Sequence, residues 1–266
     1  MIKNVKLFDS GTEKAVVKAK LVKRKLISNG FNVVEDDNYD LAVAVGGDGS
    51  FIRMVKNNKF NEDIYYVGVN AGHLGYLQEV KDEDIDKFID TLKNNSYKIC
   101  DIGIQETIVN HINGEDKFYS INEIIVKPKE NEETEGVLVA QVYIDNGRLQ
   151  NFHGDGIMIA TPTGSTGHAL SAKGPIIDPD LDAQVMVPMQ PIFSSEYHSL
   201  INPVVVLGKK PIKISPENRN IKVVVDAKPI TFEKVDTVTV TMNKKVKCLR
   251  FGDYNFAEKL NEKFLR

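Results

Sequence analysis

The sequence predicts an N-terminal α/β domain with a parallel sheet, followed by a C-terminal β-rich, sandwich-like domain. In the first third of the chain, short apolar strands alternate with amphipathic helices, and beyond about residue 98 strand candidates follow one another with turns between them. We expect domains at 1–98 and 99–253, and a C-terminal helix at 254–266 that could pack back on the first domain.

The elements of the first domain follow from the spacing of apolar residues. After a strand at "KNVKLF" comes a helix whose apolar residues recur at helical spacing: Ala15, Val16, Ala19, Val22 and Leu26. The stretches "DLAVAV" and "IYYVGVN" predict buried strands, and "SFIRMVKNN" between them predicts a short helix. A second amphipathic helix is predicted from the spacing of four residues: Ile85, Phe88, Ile89 and Leu92.

The second domain is predicted from strand candidates bounded by turn residues. They are "ETIVNHI", "INEIIVKP", "GVLVAQVYID", "GIMIATP", "PVVVLG", "IKVVVDAKP" and "TVTVTM". The acidic run "KENEETEG" between two of them is interpreted as a solvated hairpin loop. The tail "YNFAEKLNEKFLR" returns to helical spacing.

Composition limits the classes of function. The chain has 266 residues, 42% of them hydrophobic, and a formal net charge of -3, so we expect a soluble globular protein without a basic face for nucleic acid. Two cysteines favour a reducing compartment and predict no metal cluster. No signal-like segment or run of roughly 18 apolar residues is present, so we expect no membrane association and a cytoplasmic location.

The stretch "LAVAVGGDGS" ends a buried strand with a glycine-rich turn around Asp48. At such a strand-to-helix turn, backbone N–H groups and the helix dipole favour an anion, and Gly46, Gly47 and Gly49 would let phosphate oxygens approach. Because Asp48 would repel a phosphate, its presence in a phosphate-binding turn requires a chemical function. It could hold Mg²⁺ between phosphates, or accept a proton from an attacking hydroxyl. The alternative is a structural turn in which the aspartate caps the helix.

A second segment, "FHGDGIMIATPTGSTGHALSAKGP", has a similar composition. It contains another Gly-Asp-Gly around Asp155, and then hydroxyl side chains that include Thr163 and Thr166 among glycines. Hydroxyls and exposed amides in one turn suit phosphate and ribose oxygens, although the same residues also form ordinary turns.

On these stretches the sequence resembles the NAD kinases. The resemblance covers "GGDGSFIR", "GVNAGHLGYL", "INE" and "GDGIMIATPTGSTGHALSAKGPI", of which the last is the most specific, since Gly-Gly-Asp-Gly also occurs in diacylglycerol kinases, sphingosine kinases and some phosphofructokinases. It implies the NAD kinase/diacylglycerol kinase-like fold and ATP-dependent phosphorylation of the 2′-hydroxyl of the adenosine ribose of NAD, giving NADP. ATP as donor, NAD as substrate, Mg²⁺ or another divalent ion, and homodimers or homotetramers are the expected cofactors and partners.

The resemblance also implies roles for individual residues. Asp48 would be the general base, and no residue is expected to be a protein metal ligand. The positions expected to bind the nucleotides are Gly46, Gly47, Gly49, Arg53, Asn122, Glu123, His153, Asp155, Thr163, Thr166, Gly167, His168, Ala169, Leu170 and Ser171. Among them, Asn122 and Glu123 would grip a ribose of NAD, and Asp155 would lie near the nicotinamide end.

Two positions depart from the family pattern, and two others are weakly defined by it. His168 replaces the usual tyrosine, a smaller ring for stacking, and His153 stands where an arginine is common. Asp226, before "AKP", matches a late-strand aspartate that the resemblance places near the nucleotide, but it is interpreted here as a turn residue. His73 is interpreted as a local hydrogen-bonding residue. Two other functions stay open: a lipid kinase of the same superfamily, and a non-catalytic dinucleotide-binding regulator.

Overall fold

The computed structural model describes residues 2–72, 75–129, 136–252 and 254–265. His73 and most of the acidic run after Lys129 lie outside the described residues. The chain divides into two compact units, Met1–Ile102 with Lys245–Arg266, and Gly103–Lys244.

The predicted elements occur in the predicted order, and the structure contains further strands between them. The elements as far as residue 93 are β1 (Asn4–Asp9), α1 (Glu13–Ser28), β2 (Asn32–Val33), β3 (Leu41–Gly46), α2 (Asp48–Asn57), β4 (Tyr65–Asn70), a 3-10 turn (Asp82–Asp84) and α3 (Ile85–Lys93). The elements that follow are β5 (Lys98–His111), β6 (Gly114–Ser120), β7 (Glu123–Pro128), β8 (Leu138–Ile144), β9 (Gly147–Ala160), a 3-10 turn (Gly164–Thr166), α4 (His168–Ser171), β10 (Ala183–Pro191), β11 (Val204–Leu207), β12 (Ile212–Pro216), β13 (Ile221–Val225), β14 (Lys228–Phe232), β15 (Val235–Arg250) and α5 (Phe256–Phe264).

The first unit contains a parallel sheet, as predicted. Its strand order is β2-β1-β3-β4-β15, and the C-terminal part of β15 pairs in parallel with β4 at Lys247 and Cys248. All six residues of β3 are buried, because the strand is central and is covered on both faces. The sheet places the carboxyl ends of β1, β3 and β4 at one edge, with Asp9 paired to Val45 and Asn70 paired to Gly46.

The helices of this unit form where the apolar spacing predicts them. Helix α1 begins after Thr12, whose hydroxyl accepts the N–H of Ala15 at 3.4 Å, and it buries Ala15, Ala19, Val22 and Leu26. Helix α3 buries all four residues of its predicted apolar face: Ile85, Phe88, Ile89 and Leu92. These side chains join the β3 valines in one hydrophobic core.

The second unit is β-rich, which confirms the predicted fold class. Its antiparallel strands run in the order β14-β13-β7-β9-β8-β12-β15, β10 pairs with both β9 and β11, and β5 pairs with β6. The core of this unit is built from the inward residues of these strands, with the fully buried Phe152 among them.

The interpretation of the acidic run as a hairpin loop is wrong. Strands β7 and β8 on its two sides are not neighbours, because β9 lies between them and pairs with both. The hairpin is formed instead by β8 and β9 around Asp145 and Asn146, whose positive φ angles of 50° and 66° give a tight two-residue turn.

Candidate active site

The glycine-rich turn lies at the carboxyl edge of the parallel sheet in the first unit. Strand β3 ends at Gly46 and helix α2 begins at Asp48, with Gly47 as its N-cap. Because Gly47 is the N-cap and the Asp48 carboxylate accepts N–H groups of Tyr76 and Leu77, the aspartate does not act as the predicted alternative, a helix cap. The first N–H groups of α2 therefore meet the ends of buried strands, the usual setting for an anion site.

The carboxylate of Asp48 is held by backbone amides of a neighbouring turn. Oδ2 accepts the N–H of Tyr76 at 2.9 Å and Oδ1 accepts the N–H of Leu77 at 2.8 Å. The Nζ atom of Lys263 lies 3.5 Å from Oδ2. The side chain remains 33% exposed, so part of the carboxylate is open to a ligand. These contacts fix the orientation of the carboxylate and leave it accessible.

The glycines around Asp48 serve two different purposes. A Cβ at Gly46 would lie 2.4 Å from the Oγ of Ser50, so this glycine is required by packing. A Cβ at Gly47 or Gly49 would meet no atom within 4 Å, so these two positions face open space, as phosphate oxygens require. Gly75 was not predicted as a site residue, yet a Cβ there would lie 2.3 Å from Oδ1 of Asp48.

Gln78 is a second residue of this region that sequence reasoning missed. It is 2% exposed, and neither its Oε1 nor its Nε2 has a hydrogen-bond partner among the described residues. A Cβ at Gly75 would lie 1.9 Å from that Oε1 and 2.3 Å from Oδ1 of Asp48, so the amide is next to the carboxylate. Arg53, in contrast, is exposed and donates to the carbonyl of Asp9 at 3.2 Å.

In the second unit, Asn122 and Glu123 are fixed by Asp226. The Asp226 carboxylate accepts the N–H groups of Ile121, Asn122 and Glu123 at 3.0, 2.8 and 3.3 Å. Asp226 and Ala227 form the turn between β13 and β14 with positive φ angles of 42° and 66°, so the predicted turn is present. Its role as an acceptor for three amides was not predicted, because these partners lie more than a hundred positions away.

The structure brings the segment after β9 into contact with Asn122. A Cβ at Gly164 would lie 2.1 Å from the carbonyl oxygen of Asn122, and the N–H of Thr161 donates to that same oxygen at 2.9 Å. The hydroxyls of Thr161, Ser165 and Thr166 bond to nearby backbone carbonyls. These hydroxyls therefore stabilise the turn itself. This is the alternative given above for a turn rich in Gly, Ser and Thr, that these residues form an ordinary turn.

The remaining predicted positions of this segment differ in exposure. Gly167, His168 and Ser171 are exposed, Thr163 and Leu170 are half-buried, and Ala169 is buried. His168 and Ser171 line a cleft of about 440 Å³ within the second unit, together with Lys173, Met189, Gln190 and Ile201. Because Ala169 packs in a hydrophobic cluster, only its backbone could contact a ligand.

The second Gly-Asp-Gly differs from the first in its packing. A Cβ at Gly154 would lie 2.7 Å from the carbonyl of Gln190, and one at Gly156 would lie 2.7 Å from the carbonyl of Val126. These glycines are thus required by neighbouring strands, whereas the Asp155 side chain between them is exposed.

His153 lies against an aromatic residue of the β10–β11 connection. Its ring centroid is 4.3 Å from that of Tyr197, and the backbone N–H of His153 donates to the Oγ of Ser199 at 2.9 Å. The buried Nδ1 has no hydrogen-bond partner among the described residues. This ring nitrogen therefore has an unused donor or acceptor function.

The described residues contain neither a cluster of metal-ligating side chains nor a membrane-spanning helix. No group of three or more His, Cys, Asp or Glu side chains there is arranged to hold a metal ion. No helix in that part of the chain combines the length and the apolar character needed to cross a bilayer.

An α/β unit with an aspartate in a glycine-rich turn, together with a β-rich unit, is the arrangement expected of a two-domain kinase. Residues 3–97 match the ATP-NAD kinase N-terminal domain, and residues 121–251 match the ATP-NAD kinase C-terminal domain. The chain belongs to the NAD kinase family.

Individual relatives agree with this assignment. The chain is 34% identical to the NAD kinase of Finegoldia magna over 249 residues, covering 90% of this chain and 89% of the relative. It is 32% identical to the NAD kinase of Clostridium beijerinckii over 251 residues, covering 90% and 84%.

Solved structures share the fold. Yeast NADH kinase complexed with NADH gives a TM-score of 0.85 at 19% identity, with 99% of this chain and 87% of that chain covered. An NAD kinase from Archaeoglobus fulgidus in complex with ATP gives a TM-score of 0.76 at 20% identity, with 97% and 99% covered.

Proposed function

We propose that this chain transfers the γ-phosphoryl group of ATP to the 2′-hydroxyl of the adenosine ribose of NAD, with Asp48 as the general base. Membership of the NAD kinase family supports the reaction. The geometry of the Asp48 carboxylate supports its role as general base. Two backbone amides orient the carboxylate, and the side chain is 33% exposed. It also lies beside Gly47 and Gly49, where an added Cβ would meet no atom within 4 Å.

The reaction requires one proton acceptor and a site for phosphate. The 2′-hydroxyl gives its proton to the Asp48 carboxylate while its oxygen forms a bond to the γ-phosphorus. The bond between that phosphorus and the bridging oxygen of the β-phosphate breaks, and ADP leaves. The N–H groups at the start of α2 favour the phosphate charge.

In the second unit, the ribose-binding role belongs to Asn122 and Glu123. Asp226 holds their backbone, and Gly164 packs against Asn122, so both residues are preorganised for a ligand. The exposed His168 and Ser171, with the backbone from Gly167 to Leu170, would bind the adenosine and its ribose. We also propose that five further residues bind the nucleotides: Thr163, Thr166, His153, Asp155 and Arg53.

A divalent ion such as Mg²⁺ is proposed as part of the donor complex. The oxygens of the bound triphosphate would supply ligands to such an ion. When bound, the ion neutralises charge on the transferred phosphate.

Two further expectations complete the proposal. A homo-oligomer is supported by exposed apolar side chains in the second unit, including Phe193 at 67% and Ile201 at 58%, and light scattering during gel filtration would measure it. A reducing location such as the cytoplasm is supported by Cys100 and Cys248, which form no disulfide in the structure.

The proposed reaction is tested by incubating the protein with NAD, ATP and Mg²⁺ and detecting NADP with a dehydrogenase that is strict for NADP. Parallel reactions replace NAD with vesicles that contain diacylglycerol. NADP formation supports the proposal. Phosphorylated lipid without NADP would instead assign the lipid kinase function, and NAD binding without any turnover would assign the regulator.

A further inference from the structure

The C-terminal helix α5 is attached to the first unit by charged pairs. The Nζ of Lys81 lies 3.0 Å from Oε1 of Glu262, and the Nζ of Lys259 lies 3.3 Å from Oε2 of Glu79. The side chains of the second pair are only 16% and 17% exposed. Partial burial reduces solvent screening of such pairs, so these contacts fix the position of the helix.

One residue of this helix reaches the proposed general base. The Nζ of Lys263 lies 3.5 Å from Oδ2 of Asp48 and 4.7 Å from the ring centroid of Tyr76. Its side chain is 25% exposed. The aromatic face and the carboxylate orient the ammonium group, while the long distance to Oδ2 leaves its N–H groups able to donate to another acceptor.

The glycine-rich turn needs a cation that its own sequence lacks. Residues 46–50, "GGDGS", contain no lysine or arginine, and their only formal charge is the negative charge of Asp48. Phosphoryl transfer places further negative charge at this turn, and kinases stabilise it with positioned cations. Arg53, on the helix that follows, already donates to the carbonyl of Asp9 at 3.2 Å.

We propose that Lys263 binds the phosphoryl group in transfer, as a catalytic cation supplied to the Asp48 site by the C-terminal helix. In the ligand-free protein it balances the charge of Asp48. When the triphosphate binds, its N–H groups donate to the oxygens of the γ-phosphate and stabilise the charge that develops there. This inference rests on the proposed function.

The test compares Lys263→Met, Lys263→Arg and a matched control, Lys259→Met, in the NADP-forming assay. Lys259 lies one helical turn earlier on the same helix and pairs with Glu79, not with Asp48, so its substitution removes the same charge from α5 without removing the proposed contact. For each variant kcat, KM for ATP, KM for NAD and the melting temperature are measured.

We expect Lys263→Met to lower kcat/KM for ATP by about 10- to 100-fold, with KM for NAD little changed. Lys263→Arg should recover most of the loss, because a guanidinium also donates to phosphate oxygens. Equal activity of Lys263→Met and wild type, or equal losses in Lys263→Met and Lys259→Met, would overturn the inference. A wild type that forms no NADP would overturn the proposed function instead.

Discussion

The carboxylate of Asp226 accepts the backbone N–H of Asn122 at 2.8 Å, although the two residues are 104 positions apart in the chain. The same carboxylate also accepts the N–H groups of Ile121 and Glu123. Asp226, in a β-hairpin turn, therefore fixes the backbone of Asn122 and Glu123, the proposed ribose-binding pair. We propose that Asp226 is a positioning residue, since its carboxylate accepts three backbone N–H groups of this segment.

Replacing Asp226 with asparagine should weaken both folding and NAD binding. One carboxylate oxygen is lost, so at least one of the three amides no longer has its acceptor. We expect the free energy of unfolding to fall by about 1 to 3 kcal/mol and KM for NAD to rise. Urea denaturation and steady-state kinetics measure the two effects.

Asp145 provides the matched control for Asp226. It also lies in a two-residue hairpin turn with positive φ, but its side chain is 52% exposed and its ion pair is with Lys210 at 3.2 Å. Asp145→Asn should change the free energy of unfolding by less than about 0.5 kcal/mol. Equal effects of the two substitutions would refute the positioning role of Asp226.

Gly164→Ala should displace Asn122. The new Cβ would lie 2.1 Å from the carbonyl oxygen of Asn122, and backbone cannot move aside as a flexible side chain can. We expect a loss of about 1 to 3 kcal/mol in the free energy of unfolding and a higher KM for NAD. Gly167→Ala is the stability control, because its Cβ would make an ordinary contact at 3.5 Å. A Gly164→Ala protein with wild-type stability and KM would contradict this prediction.

Gln78→Met should stabilise the ligand-free protein. The amide of Gln78 is buried without a partner among the described residues, and a thioether of similar volume removes that cost, raising the free energy of unfolding by about 1 kcal/mol. Gln184→Met should do the opposite, because the equally buried Gln184 donates to the carbonyls of Gly208 and Lys210. Denaturant titrations of both variants decide the question, and a destabilised Gln78→Met would show that the amide has a partner.

His168→Tyr should lower KM for NAD. His168 is exposed at the start of α4 and lines the cleft of the second unit, so a larger aromatic ring would have room to stack on the adenine. The expected decrease is about two- to tenfold, with KM for ATP unaffected. An unchanged or higher KM for NAD would refute the stacking role.

Local sequence patterns predicted the helices and strands, whereas the order of strands in the sheet depends on pairing between distant segments. The spacing of Ile85, Phe88, Ile89 and Leu92 predicted the buried face of α3, because helical periodicity is a property of neighbouring residues. The insertion of β9 between β7 and β8 was not predictable in this way, since strand order depends on pairing between distant segments.

In the candidate site, too, local sequence identified some residues, and others were recognised only from long-range contacts. Asp48 was found from its own turn, where a carboxylate among glycines is chemically unusual. Lys263, 215 positions away, had only the spacing of an amphipathic helix to mark it. Asp226 was interpreted from the sequence as a turn residue, and only the fold shows that its carboxylate accepts the N–H of Asn122.

The central claim, that Asp48 is the general base, is tested most directly by measuring kcat and the Kd for NAD in Asp48→Asn and wild type, with melting temperatures as a check on folding. We expect kcat to fall by about 10²- to 10⁴-fold while NAD binding and folding persist, because the amide has the shape of the carboxylate but not its basicity. Turnover within a few-fold of wild type would contradict the claim. Joint loss of turnover, NAD binding and thermal stability would also contradict it, and would assign Asp48 to holding the turn at Tyr76 and Leu77.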